Sequence, residues 1–310
     1  MKKNKISIIV PTYNRRDDIQ ICLDSIINQK YPNLEIIVTD DNSADDTQEI
    51  VNKYIKKYPY IKYVKNKQYK QGPSGNKNNG LDHTTGDIIG IFDDDDILVE
   101  GVLNEMASKI DEGYDVIWGN CKIISNRADN GQFSGFGLNK SGKIDIKDYI
   151  CGRIKGEFWI IFKAKLLGSK RLDDNLYGGE STLWNQIFRN AEIYYIHKAV
   201  RNYKINDNGV SSNSAKNSHR ILLNYEKDIF LNKDFHKKNC PCWLAKLYVG
   251  VAYFSKLSGN YIKLYKSLFN SLKICINKQA ILLLFVSIFP SSFIIYLTDI
   301  RMRRKRKNKQ

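Results

Sequence analysis

The chain joins an apolar run directly to four aspartates in the stretch IIGIFDDDD, residues 88–96. Adjacent carboxylates about 4 Å apart repel each other by roughly 1 kcal/mol in water and about 4 kcal/mol near a protein surface. A solvated acidic turn is the simplest explanation for an isolated acidic run. Here the run follows a strand-like segment, and open α/β sheets bind their ligands at the carboxyl ends of strands. We therefore expect a metal site at residues 93–96.

Strand and helix patterns alternate around this stretch. Short β-branched or apolar runs predict strands, and runs with apolar residues at helical spacing predict the helices between them. The predicted strands are residues 6–10, 35–39, 61–64, 87–92 and 115–118, and the predicted helices begin at Asp17, at Ser43 or Asp45, after a loop at 71–76, and at Val99. This alternation predicts an α/β fold with a doubly wound, mostly parallel, Rossmann-like sheet.

The pattern weakens between residues 120 and 239, where one strong helix is predicted at 182–189. From Trp243 onward helices dominate, and residues 261–274 repeat the same character. The first of these helices places five apolar residues on one face: Leu244, Leu247, Tyr248, Val251 and Phe254. We therefore predict a C-terminal helical extension to the α/β unit.

Composition is that of a globular protein, with 310 residues, 42% of them hydrophobic, and a formal net charge of +16. The lysines are scattered and no nucleic-acid-binding module is recognisable, so no nucleic-acid partner is expected. The charge instead favours an anionic membrane surface or a phosphate-bearing substrate. The six cysteines lack metal-ligand spacing, and we interpret them as reduced thiols of a cytosolic protein.

Residues 280–297 are apolar enough to approach a membrane but sit at the lower limit of length for a span. Pro290 interrupts the segment, and a basic block follows at residues 301–309. The basic block would stay cytoplasmic, so a single span would place the preceding residues outside the cell. We expect an interfacial or re-entrant helix at the cytoplasmic face of the cell membrane. The alternative is a buried hairpin with a solvated tail.

Two loops offer groups that suit a nucleotide. The loop after the first strand lacks a G-x-G-x-x-G turn, but it offers backbone, hydroxyl and guanidinium donors to a nucleoside diphosphate. Its residues are Pro11, Thr12, Tyr13, Asn14 and Arg15. After the second strand, Asp40 or Asp41 can accept hydrogen bonds from a ribose or a base. Helix capping is the alternative role for these two residues.

In order and spacing, five motifs resemble those of family 2 glycosyltransferases of the GT-A fold, over roughly residues 5–210. They are SIIVPTYNR at 7–15, IIVTDDNS at 36–43, GNKNNG at 75–80, FDDDD at 92–96 and YGGE at 177–180. The resemblance implies the GT-A fold and inverting transfer of a sugar from a nucleotide donor. We expect a UDP-sugar.

The resemblance also implies roles for individual residues. Asp41 would contact the nucleobase, Asp93 the ribose, and Asp95 a Mg²⁺ or Mn²⁺ ion on the diphosphate, with Asp93-Asp94-Asp95 filling the D-x-D pattern. Asp94 would line the same nucleotide site. Carboxylate oxygens suit these ions. Lys77 stands where the family often has Arg, and it can neutralise phosphate as a point charge.

Glu180 falls on the family's position for the catalytic base, one methylene longer than the usual Asp. Gly179 stands where the family usually has Glu. By the resemblance, Glu180 would deprotonate the acceptor hydroxyl. The alternative is an acidic residue in the first turn of a helix, where it stabilises the helix dipole.

These features predict a metal-dependent, inverting glycosyltransferase acting on a lipid-linked or growing saccharide in cell-surface glycan synthesis. We expect a nucleotide-sugar-binding half at 1–120, an acceptor-binding half at 121–239, and C-terminal helices at 240–310 that include the membrane-associating segment 280–297. A metal-dependent phosphodiesterase and an inactive nucleotide-sugar-binding protein are the alternatives. The phosphodiesterase would want further His or carboxylate ligands for two metals, and the histidines here are scattered.

Overall fold

The protein is described by a computed structural model that covers residues 3–125, 128–176, 178–204, 218–293 and 295–296. The chain divides into two compact units, Met1–Asp207 and Asn208–Gln310. In their described residues, the first unit combines strands and helices and the second contains helices.

The first unit contains every strand of the described chain. The strands are β1 (Ile6–Thr12), β2 (Leu34–Asp40), β3 (Ile61–Lys65), β4 (Ile88–Ile91), β5 (Ile97–Leu98), β6 (Val116–Ser125), β7 (Ala128–Phe133), β8 (Gly142–Ile144), β9 (Phe158–Lys163) and β10 (Ile193–Lys204). The helices are α1 (Ile19–Ile27), α2 (Thr47–Lys57), α3 (Pro73–Asp82), α4 (Val102–Asp111), α5 (Ile146–Ile150) and α6 (Glu180–Ile187).

The strands form one sheet in the order β3-β2-β1-β4-β9-β6-β10-β5, with β7 paired to β6 and β8 to β10. Strands β1 to β4 pair in parallel, as do β6 and β10. The predicted α/β sheet is confirmed. It is mixed rather than wholly parallel, because β9 runs antiparallel between β4 and β6.

Helices cover both faces of the sheet. Ile6, Ile8 and Val10 of β1 belong to one buried core together with apolar residues of α1 and α4. On the other face, α3 lies so close that a Cβ added at Gly80 would come 2.4 Å from Cγ2 of Ile9. Because successive side chains of a strand point to opposite faces, this arrangement is the doubly wound fold that the sequence predicts.

Helix α3 begins earlier than predicted. The stretch 71–76 was expected to be a loop because it is rich in Gly, Pro and Asn, yet the helix begins at Pro73. Proline suits a first helical position, where its missing N–H is no loss. The buried amides of the helix find partners outside it: Asn76 donates to the Thr39 carbonyl at 2.9 Å and Asn78 to the Leu172 carbonyl at 2.8 Å.

The second unit contains α7 (Ser218–Asn239), α8 (Pro241–Leu257), α9 (Tyr261–Ile274) and α10 (Lys278–Val286). The predicted apolar face of α8 is confirmed, because its residues are buried or partly buried against Leu222 and Ile229 of α7. This packing joins α7 to α8 within the second unit.

Two features of the second unit bear on the predictions. Cys242 and Cys275 form a disulfide, so the expectation of reduced thiols is wrong for this pair. Helix α10 ends at Val286, ahead of Pro290. None of the described helices combines the length and apolarity needed to cross a membrane. The basic block at residues 301–309 lies outside the described residues.

Candidate active site

The aspartate run lies at the carboxyl end of β4, next to the end of β1. The amide of Phe92 still donates to the carbonyl of Ile9 at 2.8 Å, and the run then turns, with the amide of Asp96 3.3 Å from the carbonyl of Asp93. Asp94 and Asp96 are buried. The run is therefore not a solvated acidic turn, and it occupies the strand-end position where α/β sheets bind ligands.

Three cationic side chains surround the run. Arg15, from the loop after β1, has its Nε 3.5 Å from Asp94 and its Nη2 3.5 Å from Asp95. Nζ of Lys77 lies 3.4 Å from Asp93. Nη1 of Arg201, on β10, lies 3.3 Å from Asp93 and 3.1 Å from Asp96. The predicted residues Arg15 and Lys77 thus meet the aspartates, together with Arg201, which no motif indicated.

Negative charge at the run is only partly neutralised by these cations. Burial raises the pKa of Asp94 to about 7 and also that of Asp96 to about 7. Burial, followed by the charge of Asp93, raises the pKa of Asp95. Partial desolvation would raise the pKa of Asp93, but Lys77 and Arg201 outweigh it and lower that pKa. A further cation at this site would stabilise the ionised carboxylates.

Lys77 joins two of the predicted motifs. It lies on α3, and its Nζ donates to Oε1 of Glu180 at 2.6 Å while facing Asp93 on its other side. Burial would lower the pKa of Lys77, but the charges of Asp93 and Glu180 raise it. Lys77 is therefore a protonated ammonium between two carboxylates.

Glu180 is the first residue of α6 and is partly buried. The charge of Lys77 lowers its pKa, so Glu180 is ionised and able to accept a proton. The glycine before the cap, Gly178, has φ 68° and makes the turn into the helix. Tyr177, quoted with this motif, lies outside the described residues.

The loops after β1 and β2 are bound to each other. The amide of Asn14 donates to the Ser43 hydroxyl at 2.8 Å, and the Asn14 side chain accepts from the amide of Ala44 at 2.8 Å. Pro11 and Thr12 lie within β1, and Thr12 is buried at its carboxyl end, whereas Tyr13 is exposed. Hydrogen bonds therefore hold the predicted loop in a defined conformation beside the aspartate run.

Asp40 and Asp41 have different environments. Asp40 accepts from the amide and the hydroxyl of Ser43, both at 2.8 Å, and from the hydroxyl of Tyr63, so its carboxylate serves the local turn. Asp41 accepts from the amide of Gly72 at 2.7 Å and from Asn66 at 2.8 Å. These donors hold the Asp41 carboxylate in one orientation, as a specific ligand contact requires.

A divalent ion fits the run as a site of few protein ligands. Among the described residues, no three His, Cys, Asp or Glu side chains are arranged as a metal cage. Mg²⁺ usually takes one or two carboxylates and completes its shell with water and substrate phosphates. Within the described part of the chain, Oδ2 of Asp94 is buried without a hydrogen-bond partner. Burial, followed by the negative charge of Asp93, raises the pKa of Asp95. Both observations suit a bound cation.

The sheet order and the acidic side chains collected at its strand ends define an α/β protein of the GT-A class. The chain matches the family model Glycosyl transferase family 2 over residues 7–166, and its similarity to one curated enzyme extends over 96% of its length. The chain belongs to glycosyl transferase family 2 and is a glycosyltransferase.

Two curated relatives illustrate the family. The chain is 43% identical over 307 residues to the GalNAc(5)-diNAcBac-PP-undecaprenol beta-1,3-glucosyltransferase of Campylobacter jejuni, covering 96% of this chain and 98% of that protein. It is 32% identical over 129 residues to the Escherichia coli UDP-Glc:alpha-D-GlcNAc-diphosphoundecaprenol beta-1,3-glucosyltransferase WfgD, covering 41% of this chain and 50% of that protein.

Two solved structures share the fold. Staphylococcus aureus TarS 1–349 in complex with UDP-GlcNAc aligns with a TM-score of 0.62 and 20% identity, over 87% of this chain and 91% of that chain. The mannosyltransferase PcManGT from Pyrobaculum calidifontis, in complex with GDP-Man and Mn²⁺, aligns with a TM-score of 0.57 and 18% identity, over 92% and 79%. The predicted GT-A fold is confirmed.

Two residues near the site were missed by the sequence analysis. Arg201 is buried on β10, far from every motif in the chain. Glu157 precedes β9, and its Oε2 lies 3.6 Å from Nη2 of Arg201. Burial is the main cause that raises the pKa of Glu157. No spacing or composition signal marks either residue, because β9 and β10 reach the site only through the order of the sheet.

Proposed function

We propose that this glycosyltransferase moves a sugar, with inversion, from a nucleotide diphosphate donor to a hydroxyl of a lipid-linked saccharide in cell-surface glycan synthesis. The observation that carries the proposal is the position of Lys77 between Asp93 and Glu180, 3.4 Å from the first and 2.6 Å from the second. The lysine links a residue assigned to the donor with a residue assigned to the acceptor hydroxyl.

Donor binding would use the strand ends. Asp41 would accept from the nucleobase and Asp93 from the ribose, with Asp94 and the loop from Pro11 to Arg15 lining the nucleotide. Asp95 would hold Mg²⁺ or Mn²⁺, which when bound neutralises diphosphate charge as a Lewis acid. A UDP-sugar is the proposed donor, supported by the name of the E. coli relative and by the UDP-GlcNAc bound to TarS.

The chain's own residues supply the proton transfer. Glu180 takes the proton of the acceptor hydroxyl, whose oxygen forms a bond to the anomeric carbon from the face opposite the nucleotide. The bond from that carbon to the diphosphate oxygen breaks, and the diphosphate leaves with the electron pair. Lys77 stabilises the charge on the departing diphosphate. As Lys77 turns to the diphosphate, Glu180 loses its partner and becomes a stronger base.

The names of two relatives and the composition of the chain support a proposal for the acceptor and the location. The names of the C. jejuni and E. coli relatives both specify undecaprenol-linked acceptors. We propose a lipid-linked acceptor for this chain, reached from the cytoplasmic face by an enzyme bound to the anionic membrane surface. Within the chain, we propose residues 1–120 for the donor and 121–239 for the acceptor, with residues 240–310 as the membrane-associated extension.

A donor panel tests the proposal. The protein is incubated with Mn²⁺, a lipid-linked acceptor and individual UDP-, GDP- or dTDP-sugars, and released nucleotide is measured. We expect release with one donor class, and a product whose anomeric configuration, read by NMR, is opposite to that of the donor. Retained configuration would overturn the inverting mechanism. A phosphodiesterase would cleave the donor without acceptor, and an inactive protein would bind donor without release.

A further inference from the structure

Helices α9 and α10 carry large apolar side chains on their exposed sides. On α9 these include Ile262, 85% exposed, Tyr265, and Phe269, 68% exposed. On α10 they include Phe285, 69% exposed. We define the apolar face as Ile262, Tyr265, Phe269, Ile281, Leu282 and Phe285. The α9 set has spacings of three, four and seven residues, and in the α10 set Phe285 lies three and four residues after Leu282 and Ile281, so each set lies on one side of its helix.

The two helices are joined on their opposite sides. Leu264 and Leu268 of α9 are buried in one cluster with Ala280 and Leu283 of α10. Asn277 accepts from the amide of Ala280 at 2.8 Å and donates to the Ser271 hydroxyl at 3.0 Å. The buried sides of both helices are therefore already used in packing, which leaves the apolar face directed away from that cluster.

Lysines border the apolar face, and acidic residues are missing from this part of the sequence. Lys266 and Lys273 lie on the exposed side of α9, and Lys278 begins α10. Residues 235–298 contain eight lysines and no Asp or Glu. The face therefore combines exposed apolar groups with positive charge, the combination that binds the surface of an anionic bilayer.

We propose that the apolar face docks the enzyme on a bilayer containing anionic lipid, with Phe269 and Phe285 entering the headgroup boundary and the three lysines contacting lipid phosphates. The inference deepens the proposed membrane location and rests on it. Charge decides between the bilayer and a second copy of the chain. A two-fold dimer through this face would bring each lysine set against itself, and residues 235–298 contain no carboxylate to pair with them.

The test is flotation of the full chain with vesicles of phosphatidylcholine alone or with about 30% phosphatidylglycerol, without substrates. The variant Ile262→Ser/Phe269→Ser/Phe285→Ser should bind anionic vesicles at least about tenfold more weakly. Replacing Lys266, Lys273 and Lys278 by Gln should weaken binding to anionic vesicles by about fivefold per lysine. Binding to neutral vesicles should stay unchanged. Phe230→Ser, on α7 and 81% exposed, is the matched control and should bind like wild type.

Unchanged flotation of the serine variant would overturn the proposal, as would light scattering that shows a wild-type dimer and a monomeric serine variant. Circular dichroism checks the fold, and the glutamine variant decides the matter if the serine variant fails to fold. Transfer to a detergent-dispersed acceptor is measured separately. If the protein transfers sugar but does not float with vesicles, only the docking surface is refuted. If it floats with vesicles but transfers no sugar, only the proposed function is refuted.

Discussion

Lys77 contacts two carboxylates from distant parts of the chain, Asp93 after β4 and Glu180 at the start of α6. Without a donor, the ammonium lowers the pKa of Glu180 and keeps that side chain ionised but weakly basic. A bound diphosphate would compete for the same ammonium. Basicity of Glu180 would then rise only when the donor is present, which couples donor binding to activation of the acceptor hydroxyl.

Glu180→Gln tests the proposed base. The amide cannot accept the proton, so we expect kcat to fall by about 10²–10⁴, the usual contribution of a general base. Donor affinity should not fall, because the assigned donor contacts lie on other residues, and it should rise to the extent that Glu180 competes with the diphosphate for Lys77. Steady-state kinetics gives kcat, and calorimetry with the donor gives the affinity.

Glu157→Gln is the companion variant. Glu157 is a further carboxylate near the site, 3.6 Å from Arg201, and its raised pKa would suit a base. We expect its loss to change kcat by less than about fivefold, well below the contribution of a general base. A Glu180→Gln enzyme with wild-type turnover, or a Glu157→Gln enzyme that carries the whole loss, would contradict the assignment of Glu180.

Arg201→Met tests the ion pairs that Arg201 forms with Asp93 and Asp96 of the aspartate run. Arg201 is buried next to Asp93 and Asp96, and removal of one partner leaves a buried charge uncompensated. We expect the free energy of unfolding to fall by about 3–5 kcal/mol in urea denaturation. Arg153→Met, which breaks the exposed pair with Asp148, should cost less than about 1 kcal/mol. Equal losses in the two variants would show that Arg201 does not support the run.

Among the secondary-structure elements, the parallel strands are joined by one buried carboxylate as well as by their backbone. Glu35 of β2 accepts from the Ser7 hydroxyl of β1 at 2.5 Å, from the amide of Thr85 at 2.9 Å, and from Lys62 of β3 at 2.8 Å. Burial would raise the pKa of Glu35, but the hydrogen bonds from Lys62, Ser7 and Thr85 hold it well below the ordinary value. Its ionised form therefore stabilises the fold.

Glu35→Gln should lower the free energy of unfolding by about 2 kcal/mol at pH 7, since hydrogen bonds to an ionised group are lost. The folded pKa of Glu35 lies below the unfolded value of about 4.3, so its stabilisation is complete above that pH and is lost as the pH falls toward the folded pKa. Urea denaturation at pH 7 and pH 3 measures the difference, which should shrink at pH 3. A difference that grows at low pH would contradict this sign.

Sequence patterns predicted the strands and helices that follow simple periodicities, such as β1, β2 and the apolar face of α8. They placed the start of α3 too late, because many of its buried side chains are amides bound to neighbouring elements and leave no apolar period to detect. Its start at Pro73 was hidden in a stretch typical of loops. They also missed Arg201 and Glu157. These residues reach the site because β9 lies antiparallel between β4 and β6, and β10 pairs with β6, and this strand order cannot be read from local sequence patterns.

At the scale of the whole molecule, charge is distributed unevenly along the chain. The formal net charge is +16, yet four carboxylates stand together at the end of β4, while residues 235–298 have none. The uneven charge therefore assigns two different ligands to two parts of the chain. The acidic run is suited to a divalent cation and a diphosphate, and the lysines of the helical unit are suited to an anionic surface.

The central claim is that the end of β4 binds a donor diphosphate together with a divalent ion at Asp95. Calorimetric titration of the folded protein with UDP-, GDP- and dTDP-sugars, with and without Mn²⁺, tests it most directly. We predict that Mn²⁺ tightens binding of one donor class by about tenfold or more, and that Asp95→Asn abolishes this metal effect while the protein stays folded. The claim would be contradicted if no donor gave a measurable heat of binding. It would also be contradicted if wild type and Asp95→Asn each bound the donor equally well with and without Mn²⁺.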